Sequence, residues 1–165
     1  VEMPIIGKQT QMQAYELAEL DNKFLKYDLT RMLKGKSMML TLKVKIENGE
    51  AIASPKKIML LPYFLRRMVR KGTNYVEDSF VTECQDTKII IKPFLITRRK
   101  VSRAVRNVLR KKAKEELTNY VKDKTAEELF DEVLKNQIQR PLSQKLKKIY
   151  PLSLCEIRVL EVKER

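Results

Sequence analysis

The sequence predicts an α+β fold: a β-rich N-terminal part with one short helix, a run of C-terminal helices, and a final strand that returns to the sheet. Three observations carry this. Residues 40–46 alternate apolar and polar side chains with a period of two. From Thr97 onward the apolar residues recur at helical spacing instead. After Pro151 the alternation returns, from Leu154 to Val162. Residues 1–165 are expected to form a single domain, with 5–97 mainly β, 98–150 helical and 153–162 the last strand.

Taken in order, residues 11–17 and 24–32 hold short apolar-polar mixtures that fit strands. Leu40, Leu42, Val44 and Ile46 alternate with Thr41, Lys43, Lys45 and Glu47, the pattern of a half-buried strand. Asn48-Gly49 suits the positive φ angles of a type I′ turn. Ala51-Ile52-Ala53 begins the returning strand, and Pro55 is expected to end or edge it. Tyr63 to Arg70 reads as a short helix with Phe64, Leu65, Met68 and Val69 on one face. Residues 74–84 and 88–96 read as a second hairpin around Gln85-Asp86-Thr87. Short strands with turn signals suggest a barrel-like sheet.

Thr97 is expected to cap the first long helix, whose apolar stripe is Val101, Ala104, Val105, Val108, Leu109, Leu117, Tyr120 and Val121. Thr125-Ala126-Glu127-Glu128 has the form of a capping box opening a second helix with Leu129, Phe130, Val133 and Leu134 inward. A third covers roughly 139–149, with Leu142, Leu146 and Ile149 inward, and Pro151 ends it.

Composition narrows the function. Lys and Arg total 35 against 21 Asp and Glu, a net charge of +14, and histidine is absent. The absence of histidine excludes a His-based triad, a His zinc ligand and a His proton shuttle within the chain. Cys84 and Cys155 form no CxxC pair and read as buried free thiols of a reducing compartment, so neither a metal nor a cofactor is expected. The longest apolar runs, such as Ile58-Met59-Leu60-Leu61, are too short to span a bilayer, and no secretory signal is visible. A polyanion is the expected partner of so basic a chain, ahead of any small-molecule substrate.

The charge has a focus. Arg98, Arg99, Lys100, Arg103, Arg106, Arg110, Lys111, Lys112 and Lys114 follow one another with no acid between them. On a helix, Arg99, Arg103, Arg106, Arg110 and Lys114 line one face, placed opposite the Val101/Val105/Val108 stripe. A solvated helix face ordinarily mixes in acids, as this chain does at Glu115 and Glu116. Like charges at this spacing repel, which phosphates would relieve. A membrane-surface helix is disfavoured because the opposite stripe is needed as core. Arg66, Arg67, Arg70 and Lys71 form a second cluster. Lys34, Lys36, Lys56, Lys57, Lys145, Lys147 and Lys148 are each read singly as solvation, and several of them on one surface with Arg99–Arg110 would extend a phosphate-binding footprint. The few aromatics are mostly placed in the core, so no base-stacking platform is expected. Lys34-Gly35-Lys36-Ser37 lacks the upstream glycine of a P-loop.

At these same segments the chain resembles a family. Leu65-Arg66-Arg67-Met68-Val69-Arg70-Lys71, Phe94-Leu95-Ile96-Thr97-Arg98-Arg99-Lys100, Ala104-Val105-Arg106, Lys147-Lys148-Ile149-Tyr150-Pro151-Leu152 and Glu156-Ile157-Arg158 are similar to motifs of the archaeal and eukaryotic small-subunit ribosomal proteins called eS-one, formerly S-three-A-e. The order matches over nearly the whole chain from Gly7-Lys8. The resemblance implies a barrel-like sheet with packed helices, and a structural constituent of the small ribosomal subunit acting in translation in the cytoplasm. It implies binding to small-subunit rRNA on the platform near the mRNA exit, and contact with neighbouring ribosomal proteins. Arg66, Arg70, Arg98, Arg99 and Arg106 match the family's basic positions; Arg67, Lys71, Lys100, Arg103 and Arg110 complete the expected RNA-binding set. The run from Arg98 into Val101-Ser102-Arg103 is shorter than the family's usual linker, and the absence of long basic tails favours an archaeal-type member.

The alternative is a free nucleic-acid-binding factor or translation regulator. An RNA-cleaving enzyme would need clustered carboxylates for Mg²⁺, for which only Glu77 with Asp78, or Glu127, Glu128 and Asp131, are available; the second group is better read as helix capping. No enzymatic activity is therefore expected.

Overall fold

A computed structural model describes every residue except Lys34, Asn48, Glu164 and Arg165. It is α+β. The strands are β1 (Glu2–Met3), β2 (Lys8–Gln9), β3 (Phe24–Asp28), β4 (Met38–Glu47), β5 (Glu50–Leu60), β6 (Tyr75–Glu77), β7 (Phe80–Glu83), β8 (Lys88–Thr97) and β9 (Leu152–Lys163). The helices are α1 (Pro62–Met68), α2 (Arg103–Val121), α3 (Ala126–Leu134) and α4 (Gln139–Lys147).

The last strand organises the sheet. β9 lies antiparallel between β5 and β8, so the C-terminal helices are an excursion from a sheet the chain rejoins. β3 and β4 extend it beyond β5, β6 and β7 both pair with β8, and β1 joins β5 in parallel. Among the described residues β3 does not meet β6 or β7, so the sheet is open and not the barrel-like closure expected. Helices cover it instead: α4 on β9, α3 on β5 and β9, and α2 against β6, β7 and α4. The shared core takes Leu40, Leu42 and Val44 from β4, Ile89 and Ile91 from β8, Leu160 from β9 and Phe130 from α3.

Local pattern and tertiary context part company at several places. Residues 11–17 form no strand; that stretch is exposed but for half-buried Met12, and a 3-10 turn at Leu17–Leu20 buries Leu20. The strand read over 24–32 stops at Asp28, whose carboxylate accepts from the Thr30 amide and turns the chain. Pro55 does not end β5. It faces Leu42, where the register shifts between Thr41 and Leu42, a bulge that accommodates its missing N–H. The stretch 74–84 breaks at Asp78-Ser79 into two strands. Glu47 pairs with Glu50 across the β4–β5 turn and Gly49 has φ +82°; Asn48 lies outside the described residues, as does Lys34.

The Thr125/Glu128 capping box is formed in full. Other helical details differ. Thr97 ends β8, and Ser102 caps α2 in its place. Val101 precedes that helix, Ala104 and Val108 are exposed, and the buried stripe is Leu109, Ala113, Leu117 and Val121, with Val105 half-buried. Ile149 lies beyond α4 and is exposed. Both cysteines are free, but only Cys155 is buried; Cys84 sits half-exposed in the β7–β8 turn, its thiol 2.8 Å from the Thr87 carbonyl. Burial pushes the Cys155 thiol up to about 12, with Glu156 adding to the effect, so it carries no nucleophile.

Candidate nucleic-acid interface

The two basic clusters are separated in sequence, and one polar clasp unites them. Helix α1 starts on Pro62 and is anchored by buried Phe64 and Leu65, which turns Arg66 and Arg67 to solvent. Arg67 lies 5.6 Å from the centroid of the Phe64 ring. The chain then reverses at Gly72, whose φ of +89° few other residues tolerate. Thr73 Oγ1 donates to the Arg70 carbonyl at 2.7 Å. Arg70 and Lys71 are thereby held on an exposed turn.

Asn74 follows and binds the end of β8. The Thr97 amide donates to the Asn74 carbonyl at 2.9 Å, and the Asn74 amide donates back to Thr97 Oγ1 at 3.1 Å. That hydroxyl is fully buried and donates onward to the Arg99 carbonyl at 2.7 Å. Asn74 Oδ1 accepts from the Val101 amide at 2.8 Å. Each group here would otherwise be a stranded polar atom. The clasp ties the turn carrying Arg70 and Lys71 to the segment carrying Arg98, Arg99 and Lys100. Ser102 Oγ then accepts from the Val105 amide and opens α2, which carries Arg103, Arg106 and Arg110.

This arrangement corrects the predicted face. Arg99 lies on the segment before the helix. Arg103, Arg106, Arg110 and Lys114 do share a side of α2, but it flanks the buried stripe and does not oppose it. Arg106 stands three residues before Leu109 and seven before Ala113, which at helical spacing is the core side. It is half-buried, and its Nε is enclosed without a hydrogen-bond partner. Lys114 sits 5.6 Å from the Phe80 ring centroid.

Charge pairing separates these cations from the others. Among the described residues, none of Arg66, Arg67, Arg70, Lys71, Arg98, Arg99, Lys100, Arg103, Arg106 and Arg110 has a carboxylate partner. Some cations elsewhere are matched: Lys57 with Glu161, Lys88 with Glu83, Lys135 with Asp131, and Lys112 and Lys145 with Glu116; others, such as Lys23, Lys92, Lys111 and Arg140, likewise have no carboxylate partner among the described residues. Lys124 pairs with Glu132, under the Tyr120 hydroxyl. Lys36 pairs with buried Glu156 at 2.6 Å.

The carboxylates weighed for metal chemistry are engaged separately. Glu77 accepts from Arg158 at 2.9 Å, Asp78 from the Ser79 amide, Glu128 completes the capping box, and Asp131 pairs with Lys135. Among the described residues no group of three or more acidic or cysteine side chains gathers to hold a metal ion. No helix among them is long and apolar enough to cross a membrane. Sequence reading missed Asn74 and Tyr75. Asn74 acts across a gap of 23 residues that no local pattern signals. Tyr75 is 53% exposed where the aromatics were expected in the core.

Comparison with known proteins bears on this interface. The chain is 26% identical over 122 residues to the small ribosomal subunit protein eS1 of Nanoarchaeum equitans (strain Kin4-M), covering 73% of this chain and 62% of that protein. It thus spans about six tenths of the length of that relative. Residues 7–165 match the model of the Ribosomal S3Ae family, and the likeness read from the arginine motifs and Lys147–Leu152 is a membership: the chain belongs to that family.

Proposed function

We propose that the protein is a structural constituent of the small ribosomal subunit. In this reading it binds rRNA through Arg66, Arg67, Arg70, Lys71, Arg98, Arg99, Lys100, Arg103, Arg106 and Arg110. The observation that carries the reading is that they are gathered on α1, its exit turn, the segment after β8 and the start of α2, joined by the Asn74 clasp, with no carboxylate partner among the described residues. Unpaired cations held side by side repel, and a phosphate backbone converts that repulsion into counterion-releasing attraction. Arginine suits the task because its planar fork grips phosphate in two places. The family and the named relative support a ribosomal setting, with neighbouring ribosomal proteins as further partners. The finer placement on the platform near the mRNA exit, and the cytoplasmic ribosome as location, belong to the same proposal. So does the treatment of residues 1–165 as one domain, supported by the return of β9 between β5 and β8. The role is one of binding, with no turnover.

Sedimentation of a tagged copy from lysate at low and then high salt tests this. Co-migration with the small subunit that survives high salt is the expected result. Release into the light fractions as salt rises would replace it with the free-factor alternative.

A further inference from the structure

Beside the clasp, α1 and the edge strand β6 enclose a groove of about 410 Å³ lined by Leu65, Arg66, Val69, Tyr75, Phe94 and Arg158. Its wall carries one of the exposed aromatics of the chain, and the one whose ring is stacked on a buried ring. Tyr75 is 53% exposed, and its ring stacks on Phe94 with centroids 5.8 Å apart and planes at 21°. Phe94 is 3% exposed, so the fold holds the tyrosine ring from behind. Val69, 38% exposed, adds apolar surface on the opposite wall. The rim is cationic. Arg66 has no acidic partner among the described residues, and Glu77, a carboxylate that itself lines the groove, is taken up by Arg158 at 2.9 Å. Arg67 and Arg70 lie just along the chain.

A groove with a supported flat ring, an apolar wall and an arginine rim asks for a ligand that joins a flat π-face to a nearby negative charge. An unpaired nucleotide has both, while a base inside a duplex offers its face only to its neighbours in the stack. We propose that the groove seats one unpaired nucleotide of RNA, its base against Tyr75 and its phosphate on Arg66. This rests on the RNA-binding reading above and adds to it a preference for single-stranded over paired RNA.

The test uses the full chain and two probes, a ten-nucleotide oligoadenylate and an RNA hairpin whose stem is closed by a hexaethylene-glycol linker and so carries no unpaired base, read by fluorescence anisotropy at moderate salt. Tyr75→Leu, which keeps an apolar side chain on the edge strand, is expected to weaken oligoadenylate binding at least about fivefold, the lower end for one base stacked on one ring. Tyr75→Phe is expected to bind as the parent does, and neither change to alter hairpin binding by more than about twofold. Equal losses on both probes, or no loss on oligoadenylate, would overturn the groove and leave the arginine interface standing. A parent protein that binds neither probe would overturn the RNA reading itself.

Discussion

Helix α2 is two helices in electrostatic terms. Its second half neutralises itself: Lys112 reaches Glu115 at 3.1 Å and Glu116 at 3.4 Å, and Lys145 of α4 reaches Glu116 at 2.5 Å. These contacts hold the Glu116 carboxyl below its usual range, Lys145 most of all, and hold the Lys112 amine above its usual range, Glu115 first. The first half carries Arg103, Arg106 and Arg110 with no such partner among the described residues. One four-residue rhythm of buried positions runs through both halves, starting at Leu109 in the first and continuing at Ala113, Leu117 and Val121 in the second. Packing therefore does not distinguish them. The difference teaches how the proposed reading divides this helix: Lys112 is paired within the fold, and Arg103, Arg106 and Arg110 are the cations it assigns to a partner outside it.

The largest effect tests the claim that packing is shared. Leu109→Ala and Leu117→Ala each empty a site with at most 1% exposure, and each is expected to cost about 2–5 kcal/mol. Urea midpoints would show it. A much smaller loss for Leu109→Ala would mean that the arginine half is loosely held, and the comparison would then be one of order and not of charge.

Next comes the clasp. Asn74→Ala removes the acceptor of the half-buried Val101 amide, and a loss of about 1 kcal/mol is expected. The same change keeps the backbone bonds to Thr97 but loosens the segment at Val101 that leads from Arg98, Arg99 and Lys100 into α2, so RNA affinity should fall although no cation is removed. Unchanged affinity at a temperature where the variant is folded would show that the Asn74 side chain does not position the basic segment for RNA.

The smallest effect concerns a cation kept for the fold. Lys36 joins Glu156 on β9 and Asn136 after α3, fixing the β3–β4 connection to the helical layer. Burial raises the Glu156 carboxyl above its ordinary value of 4.5, and Lys36 only partly offsets this. A raised folded value means that the folded state binds the proton more tightly than the unfolded state. The contribution is then fullest below about 4.5 and is lost as pH rises through the folded value. The stability of the parent minus that of Glu156→Gln should therefore decline from pH 4 toward neutrality. A difference that grows with pH would show Lys36 prevailing over burial.

What could be read from sequence was what is decided locally. The β4 alternation, the Thr125/Glu128 box and the β9 alternation each need only neighbours in the chain. Pro55 misled because the bulge that admits it is made by the facing strand. Thr97 looked like a cap because a threonine before a helical pattern usually is one; here Asn74, far off in sequence, claims its hydroxyl. Val108 looked buried because the spacing alone does not say which side of α2 meets the sheet. The arginines of the interface were visible as an acid-free run. Their assembly into one surface was not, since it depends on Asn74, nor was the exposed ring of Tyr75.

The central claim is that location, and not net charge, decides which cations meet RNA. Two double variants remove the same charge: Arg103→Gln with Arg110→Gln, and Lys112→Gln with Lys145→Gln. The measurement is the slope of log affinity against log salt for the hairpin probe. The account predicts that the arginine pair lowers the slope by about 2, near one per phosphate contact, and the lysine pair leaves it almost unchanged. Equal slopes for the two variants would contradict it, and would reduce the interface to the general attraction of a basic protein for a polyanion.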